Sequence, residues 1–148
     1  MINIISLKTG NKYDPKYVNN LYNMVQRNTG VKHEFICFTD DPTGINEDID
    51  IRILPEKTTI TGWWWKPYVF KRGLFDDGDI NLFIDLDTVL VGNIDKLLDF
   101  SPGSFVGMRD AGRSLNRPDK LQSAVMRWTA GSYSDIWTEI ERNPLVMR

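Results

Sequence analysis

Apolar positions fall in short blocks separated by polar and turn-forming residues. Ile2 to Leu7 is mostly apolar and reads as a first strand, followed by a polar loop from Lys8 to Asp14. Asp14-Pro15 is a helix start, with Asp as the cap and Pro in the first helical position. Tyr17, Val18, Leu21, Met24 and Val25 then recur at helical spacing, and Gly30 is expected to close the helix. Glu34 to Thr39 reads as a second strand ending at Asp40-Asp41-Pro42, and Ile49 to Leu54 as a third. A helix is expected from near Trp65 to about Phe75, with Pro67 tolerated in its first turn. Asp77-Gly78 reads as a turn, Leu82-Phe83-Ile84 as a buried strand, and Gly92-Asn93 as a further turn. Ser104 to Met108 and Gln122 to Thr129 look like later strands, with Ser132 capping a last helix through about Asn143. Strands alternating with helices imply an α/β layered fold. No repeat, low-complexity run or linker divides the chain, so residues 1–148 are expected to form a single domain.

The chemistry concentrates where the strand at 82–84 runs into Asp85-Leu86-Asp87-Thr88. In an extended backbone, side chains at i and i+2 point to one side. Asp85 and Asp87 are therefore expected to aim together at a hard cation near the carboxyl end of that strand, where open α/β sheets bind ligands. Mg²⁺ and Mn²⁺ suit carboxylates and commonly use one or two of them together with substrate phosphates. The pair thus points to a phosphate-bearing substrate. Alone the tripeptide is weakly specific, because turns favour Asp in any case.

Composition narrows the classes without choosing among them. The chain is 41% hydrophobic and 26% charged, ordinary for a globular protein. A net charge of -2 with no run of Lys and Arg argues against a nucleic-acid surface. No apolar segment is long enough to span a bilayer, and the N-terminus lacks the regions of a signal peptide. The single cysteine, Cys37, excludes an internal disulfide and fits a reducing compartment, so a cytoplasmic location is expected. Its neighbours in Phe35-Ile36-Cys37-Phe38 make it a buried thiol.

Two families share the aspartate pair. Ile84-Asp85-Leu86-Asp87-Thr88-Val89 matches the first motif of haloacid-dehalogenase-type phosphatases, in which the first Asp is the nucleophile. That motif usually sits near the N-terminus, whereas only 61 residues follow Asp87, without a clear acidic pair or strand-ending Ser/Thr. The wider resemblance is to nucleotide-sugar glycosyltransferases of the glycosyltransferase A fold, the glycogenin and family-8-like group. The aspartate block and its tail Val91-Gly92-Asn93-Ile94-Asp95 resemble that group's signature. Leu7, Thr9 and Tyr13 fall at the spacing of its loop around the base and ribose, with Gly10 where an Asn is usual. Trp65-Lys66 resembles the element whose Lys reaches the donor's phosphates or sugar, and Phe38-Thr39-Asp40-Asp41 the end of the second strand. Ser123-Ala124-Val125-Met126-Arg127-Trp128 is similar to a degenerate form of a strand on the acceptor side. The likeness runs in order from about residue 2 to 140.

The resemblance implies a Rossmann-like sandwich with a mostly parallel mixed sheet flanked by helices. It also implies a UDP-sugar donor, an unknown acceptor and Mn²⁺ or Mg²⁺ as cofactor. Asp85 and Asp87 would hold the metal, with Leu7, Thr9, Tyr13, Asp40, Lys66 and Leu86 completing the nucleotide-sugar site. Members of the group continue beyond this stretch with further metal and phosphate ligands, so the chain resembles the nucleotide-sugar half, with a homo-oligomer or partner chain as ways to complete the site. A catalytically inactive sugar-nucleotide-binding module is the alternative within the same fold.

Three other features are assigned plainer roles. His33, the one histidine, is expected at a strand edge away from the aspartates. Asp76, Asp77 and Asp79 read as a solvated turn. Of Trp63-Trp64-Trp65, one or two are expected to pack the following helix onto the sheet, although aromatic faces also stack on sugars.

Overall fold

The computed structural model describes residues 1–56, 59–110 and 120–143. Six strands form one sheet: β1 (Ile2–Lys8), β2 (Glu34–Thr39), β3 (Asp50–Ile53), β4 (Ile80–Ile84), β5 (Val106–Arg109) and β6 (Leu121–Thr129). Their order is β3-β2-β1-β4-β6-β5. β3, β2, β1 and β4 are mutually parallel, and β6 runs antiparallel to both β4 and β5. Three α-helices accompany them: α1 (Pro15–Asn28), α2 (Asp95–Asp99) and α3 (Asp135–Arg142), with a 3₁₀ helix at Gly62–Phe70.

The apolar runs of β1, β2 and β4 are buried on both faces, as sheets covered by helices require, whereas the edge strand β3 is only partly covered. Alternation sends Ile4, Cys37, Leu82 and Ile84 to one face, where they meet Val18, Leu21 and Val25 of α1. Ile5, Ile36, Phe38 and Phe83 go to the other, against Trp65, Tyr68 and Val69 of the 3₁₀ helix and Trp137 of α3. Ile4, Ile5, Leu82 and Phe83 are all fully buried, each such side chain contributing about 1.5–3 kcal/mol. The result is an α/β sandwich with its mixed sheet between two helical layers. Cys37 lies in this core, and desolvation pushes its thiol up to about 11.

Several boundaries differ from the sequence expectation, each for a physical reason. Asp14 does cap α1, its carboxylate accepting from Lys16 N at 2.9 Å, but the helix ends at Asn28 with Thr29 extended rather than at a left-handed Gly30. The end of α1 is satisfied from elsewhere: Ile94 N donates to Asn28 O at 2.8 Å, and Thr29 Oγ1 donates to Asp95 Oδ1 at 2.5 Å. The helix expected near Trp65 to Phe75 is a 3₁₀ helix that begins at Gly62 and stops at Phe70, where Lys71 leaves helical geometry and Gly73 takes φ +84°. α3 starts at Asp135, not after Ser132, because Ser132 N closes a turn onto Thr129 O at 3.2 Å. Asp79 is not simply solvated: it accepts from the Asn3 amide at 3.1 Å and the Met1 amino group at 2.8 Å.

This topology fixes where a ligand can enter. After β1 the chain steps to β2 and β3 on one side, then returns past β1 to β4 on the other. The carboxyl ends of β1 and β4 therefore flank a switch point, the place where open α/β sheets leave a crevice.

Candidate functional site

A cleft of about 270 Å³ opens at that crevice. The end of β1 and the loop after it supply Leu7, Thr9, Lys12 and Tyr13, the 3₁₀ helix supplies Gly62, Trp63 and Lys66, and the turn after β4 supplies Asp85, Leu86 and Asp87. Seven of these ten, all but Lys12, Gly62 and Trp63, are residues singled out from the sequence.

The aspartates reach the cleft by a route other than strand alternation. β4 ends at Ile84, and Asp85 to Thr88 form a turn closed by Thr88 N donating to Asp85 O at 3.1 Å. Asp85 N also donates to Ala124 O at 2.8 Å, which ties the turn to the neighbouring β6. The i, i+2 rule for extended chain therefore does not apply, yet both carboxylates line the same cleft.

Each carboxylate has one strong protein partner. Lys66 Nζ lies 2.8 Å from Asp85 Oδ1 and 2.9 Å from Oδ2. It also donates to the carbonyl and hydroxyl oxygens of Ser123, at 3.3 and 3.2 Å. Partial burial raises the Asp85 carboxyl above its ordinary range, Lys66 opposes that rise, and the nearby Asp87 charge adds to it. Tyr13 Oη donates to Asp87 Oδ2 at 2.8 Å. That bond is the main reason the Tyr13 phenol is raised, so Tyr13 remains a donor at neutral pH.

Asp40 does not line the cleft. Its Oδ2 accepts from Gly10 N at 2.8 Å, so it shapes the loop after β1 from behind. Gly10 has φ +59°, a left-handed conformation open to Gly and, among other residues, mainly to Asn. The exchange of one for the other in this loop thus preserves its path. His33 does not line the cleft, and its ring nitrogens are engaged by Val31 O at 2.8 Å and the Gln26 amide at 3.2 Å. Of the three tryptophans, Trp65 is buried in the core whereas Trp63 stands exposed at the cleft.

Lys12 and Gly62, missed from sequence, had usable signals: Lys12 belongs to the same loop as Thr9 and Tyr13, and Gly62 precedes Lys66 by a turn or so of helix. Trp63, noted from sequence for its aromatic face, was not assigned to the site. Asp95, the last residue of the resemblance's tail, serves the fold: it accepts from Thr29, Gly30 N and the Asn93 amide, stapling the end of α1 to the start of α2.

Among the described residues no three His, Cys, Asp or Glu side chains form a metal cage. Two carboxylates on one open cleft nevertheless fit a hard ion that takes its other ligands from phosphates and water. Asp87 is the freer of the two, since Tyr13 engages only its Oδ2, whereas Lys66 spans both oxygens of Asp85.

No family model and no curated protein sequence matches this chain. Among solved structures it is similar to an active-site mutant of LgtC, with 14% identity and a TM-score of 0.65, covering 99% of this chain and 66% of that one. It is likewise similar to the galactosyltransferase LgtC in complex with donor and acceptor sugar analogs, at 15% identity and a TM-score of 0.65, over 99% of this chain and 66% of that one. The chain thus spans 66% of the length of these structures, slightly under two thirds. The likeness is one of fold, and the fold is that of a glycosyltransferase A-type α/β domain.

Proposed function

We propose that the cleft binds a nucleotide diphosphate sugar, a UDP-sugar as donor, and that the protein transfers its glycosyl group to an acceptor. The observation that carries this reading is the convergence of Tyr13, Lys66, Asp85 and Asp87, from three separate segments, on the crevice between β1 and β4. The loop after β1 would surround the base and ribose, with the Tyr13 ring against the base and Leu7 and Thr9 beside it. Lys66 would offer an ammonium charge to the diphosphate, shared with Asp85 or released from it. Mn²⁺ or Mg²⁺ held by Asp87, with Asp85 beside it, would offset negative charge developing on the departing diphosphate. Tyr13 would hold the Asp87 carboxylate in position, and Ser123 would hold Lys66. A partner or a second copy would complete the walls of so open a site.

The phosphatase alternative requires Asp85 as a free nucleophile. Here both of its oxygens are engaged by Lys66, and the fold is similar to that of a galactosyltransferase, which favours the nucleotide-sugar reading. A sugar-nucleotide-binding module without turnover uses the same cleft and differs only in outcome. Incubation with UDP-glucose or UDP-galactose and Mn²⁺, following UDP release, separates the two. Metal-dependent release that is lost in Asp87→Ala supports a transferase, and tight binding without release supports the module. Failure to bind UDP at all in the presence of metal would reject both.

A further inference from the structure

We infer that Trp63 is a stacking platform for a pyranose ring in the cleft. The inference rests on the nucleotide-sugar reading and adds to it the chemistry of what the cleft holds besides the nucleotide.

The placement follows from helix type. In a 3₁₀ helix there are three residues per turn, so side chains at i and i+3 eclipse one another. Trp63 and Lys66 stand in that relation, and both face the cleft, whereas Trp65 and Tyr68, in the same relation, are buried in the core. Gly62, at φ +58°, turns the chain into the helix from the extended Thr61. Lys66 holds Asp85 and Tyr13 holds Asp87. Tyr13 is thus paired with Asp87 and Lys66 with Asp85, and Trp63 lies one 3₁₀ turn from Lys66 on the wall of the same cleft. The aromatic rings on the cleft wall are those of Tyr13 and Trp63; if the base lies at Tyr13 and the diphosphate at the charged groups, Trp63 is the ring left for the sugar bonded to the diphosphate, or for the acceptor that receives it.

Trp63 is also built to present a flat face. It is 68% exposed, unusual for so large an apolar side chain, and its indole stacks on that of Trp64 at 4.2 Å and 24°. One face is thus covered by its neighbour, while the side chain stays largely exposed on the cleft wall. A pyranose has an apolar C–H face with hydroxyls around its rim. Laying that face on the indole removes apolar surface from water on both sides while the hydroxyls stay solvated or reach charged neighbours. A rigid aromatic gives such contact area at little entropic cost. The pyranose is the donor's sugar or a saccharide acceptor, which share this chemistry.

Trp63→Ala and Trp63→Phe separate the outcomes, read by calorimetry with UDP, UDP-glucose, UDP-galactose and methyl glucopyranosides. Loss of one indole N–H cross-peak in Trp63→Phe assigns the Trp63 signal in nuclear magnetic resonance spectra. UDP affinity should remain within about twofold of the parent in both variants. A donor sugar on Trp63 predicts that Trp63→Ala weakens UDP-glucose or UDP-galactose by roughly tenfold while UDP is unaffected. An acceptor on Trp63 predicts instead that the methyl glycosides shift the Trp63 indole signal and lose affinity in Trp63→Ala. Partial retention in Trp63→Phe supports stacking in either case. Equal weakening of UDP and UDP-sugars would put the ring at the base and overturn the inference, as would unchanged binding of every probe. If UDP fails to bind the parent, the nucleotide reading falls, and the methyl glycosides still decide Trp63: a shifted indole signal supports the platform and an unshifted one overturns it.

Discussion

The Tyr13 hydroxyl donates a 2.8 Å hydrogen bond to Asp87 Oδ2, joining the loop after β1 to the turn after β4 across 74 positions of sequence. Read from sequence, Tyr13 belongs to base recognition and Asp87 to metal binding, as separate matters. The bond couples them: whatever sits on the Tyr13 ring and whatever sits on the Asp87 carboxylate feel one another's position. The ring is further steadied by Tyr17, edge-on at 5.1 Å, and by the Lys12 ammonium 4.9 Å from its centre.

Paired substitutions at Tyr13 divide the ring from the hydroxyl. Tyr13→Ala removes both and should weaken UDP by about 1–3 kcal/mol, the increment for a base stacked on an aromatic. Tyr13→Phe keeps the ring and should recover most of that loss in UDP affinity while weakening the metal dependence of binding, since Asp87 loses its anchor. Calorimetric titration of UDP at several Mn²⁺ concentrations measures both effects. A Phe variant as impaired as the Ala variant would show that the hydroxyl, not stacking, carries the interaction.

Joint binding of UDP and metal to the native state should appear as linked stability. At about 100-fold saturation the native state gains about 2.7 kcal/mol. For a domain of this size that raises Tm by several degrees, at roughly 2–4 °C per kcal/mol. The rise should require Mn²⁺ or Mg²⁺, vanish with chelator, and be absent in Asp87→Ala. An equal rise from UDP with and without metal would defeat the assignment of the carboxylates.

What was legible in the sequence tracks how local its cause is. β1, β2 and α1 follow from contiguous apolar runs and from Asp14-Pro15, so their cores and starts can be read directly. The end of α1 could not be, because it is closed by Asp95 and Ile94, more than sixty positions away. α2 was missed for the same reason: five residues have no helical period to read, and their start is secured by the α1 terminus. The helix at Trp65–Phe70 was legible, but neither its start at Gly62, nor its stop at Phe70, nor its 3₁₀ type, since an aromatic run with one Pro satisfies either repeat. Strand order was not legible at all, yet it is what places the loops after β1 and β4 side by side. The residues that line the cleft were largely recoverable because motif spacing names them, while the bonds among them are long-range and emerge only from the fold.

Asp95 should show its structural role through pH. Hydrogen bonds from Thr29, Asn93 and the Gly30 amide hold its carboxyl below the usual range. A depressed carboxyl stabilises the native state above the unfolded pKa, and that contribution is lost as pH falls through the folded value. Asp95→Asn should therefore lower Tm at pH 7, and the gap from the parent should close as the pH is taken below about 4. A gap that stays constant down to pH 3 would mean that charge at Asp95 does not matter.

Cys37 gives a probe of the core that leaves the cleft untouched. Its fully buried thiol, pushed up to about 11 by desolvation, should react with a disulfide reagent only after the chain opens. Labelling at pH 8 should thus be slow in native buffer, accelerate in urea along with the loss of structure, and slow further when UDP and Mn²⁺ are added. Rapid labelling of the native protein would contradict the packing of β2 against α1.

Lys66 is the residue on which the electrostatics of the cleft turn. Partial burial already raises the Asp85 carboxyl, and Lys66 is the chief influence holding that rise in check. Removing the ammonium in Lys66→Met should therefore raise Asp85 further. A raised carboxyl makes the native state bind protons more readily than the unfolded chain, so it lowers stability as pH climbs through the folded value. The variant should accordingly lose stability towards neutral pH and regain part of it on mild acidification, the opposite of the Asp95 behaviour. Carboxyl resonances followed through a pH titration would give the Asp85 shift directly, and an unmoved Asp85 would rule the pairing out as its determinant. The same variant should weaken UDP by about 1.5–3 kcal/mol if the ammonium contacts the diphosphate, the range for a hydrogen bond to a charged group. Lys66→Arg should keep Asp85 near its parent behaviour and restore part of that affinity. If UDP affinity survives Lys66→Met unchanged while Asp85 shifts as expected, Lys66 serves to hold the aspartate and does not touch the ligand.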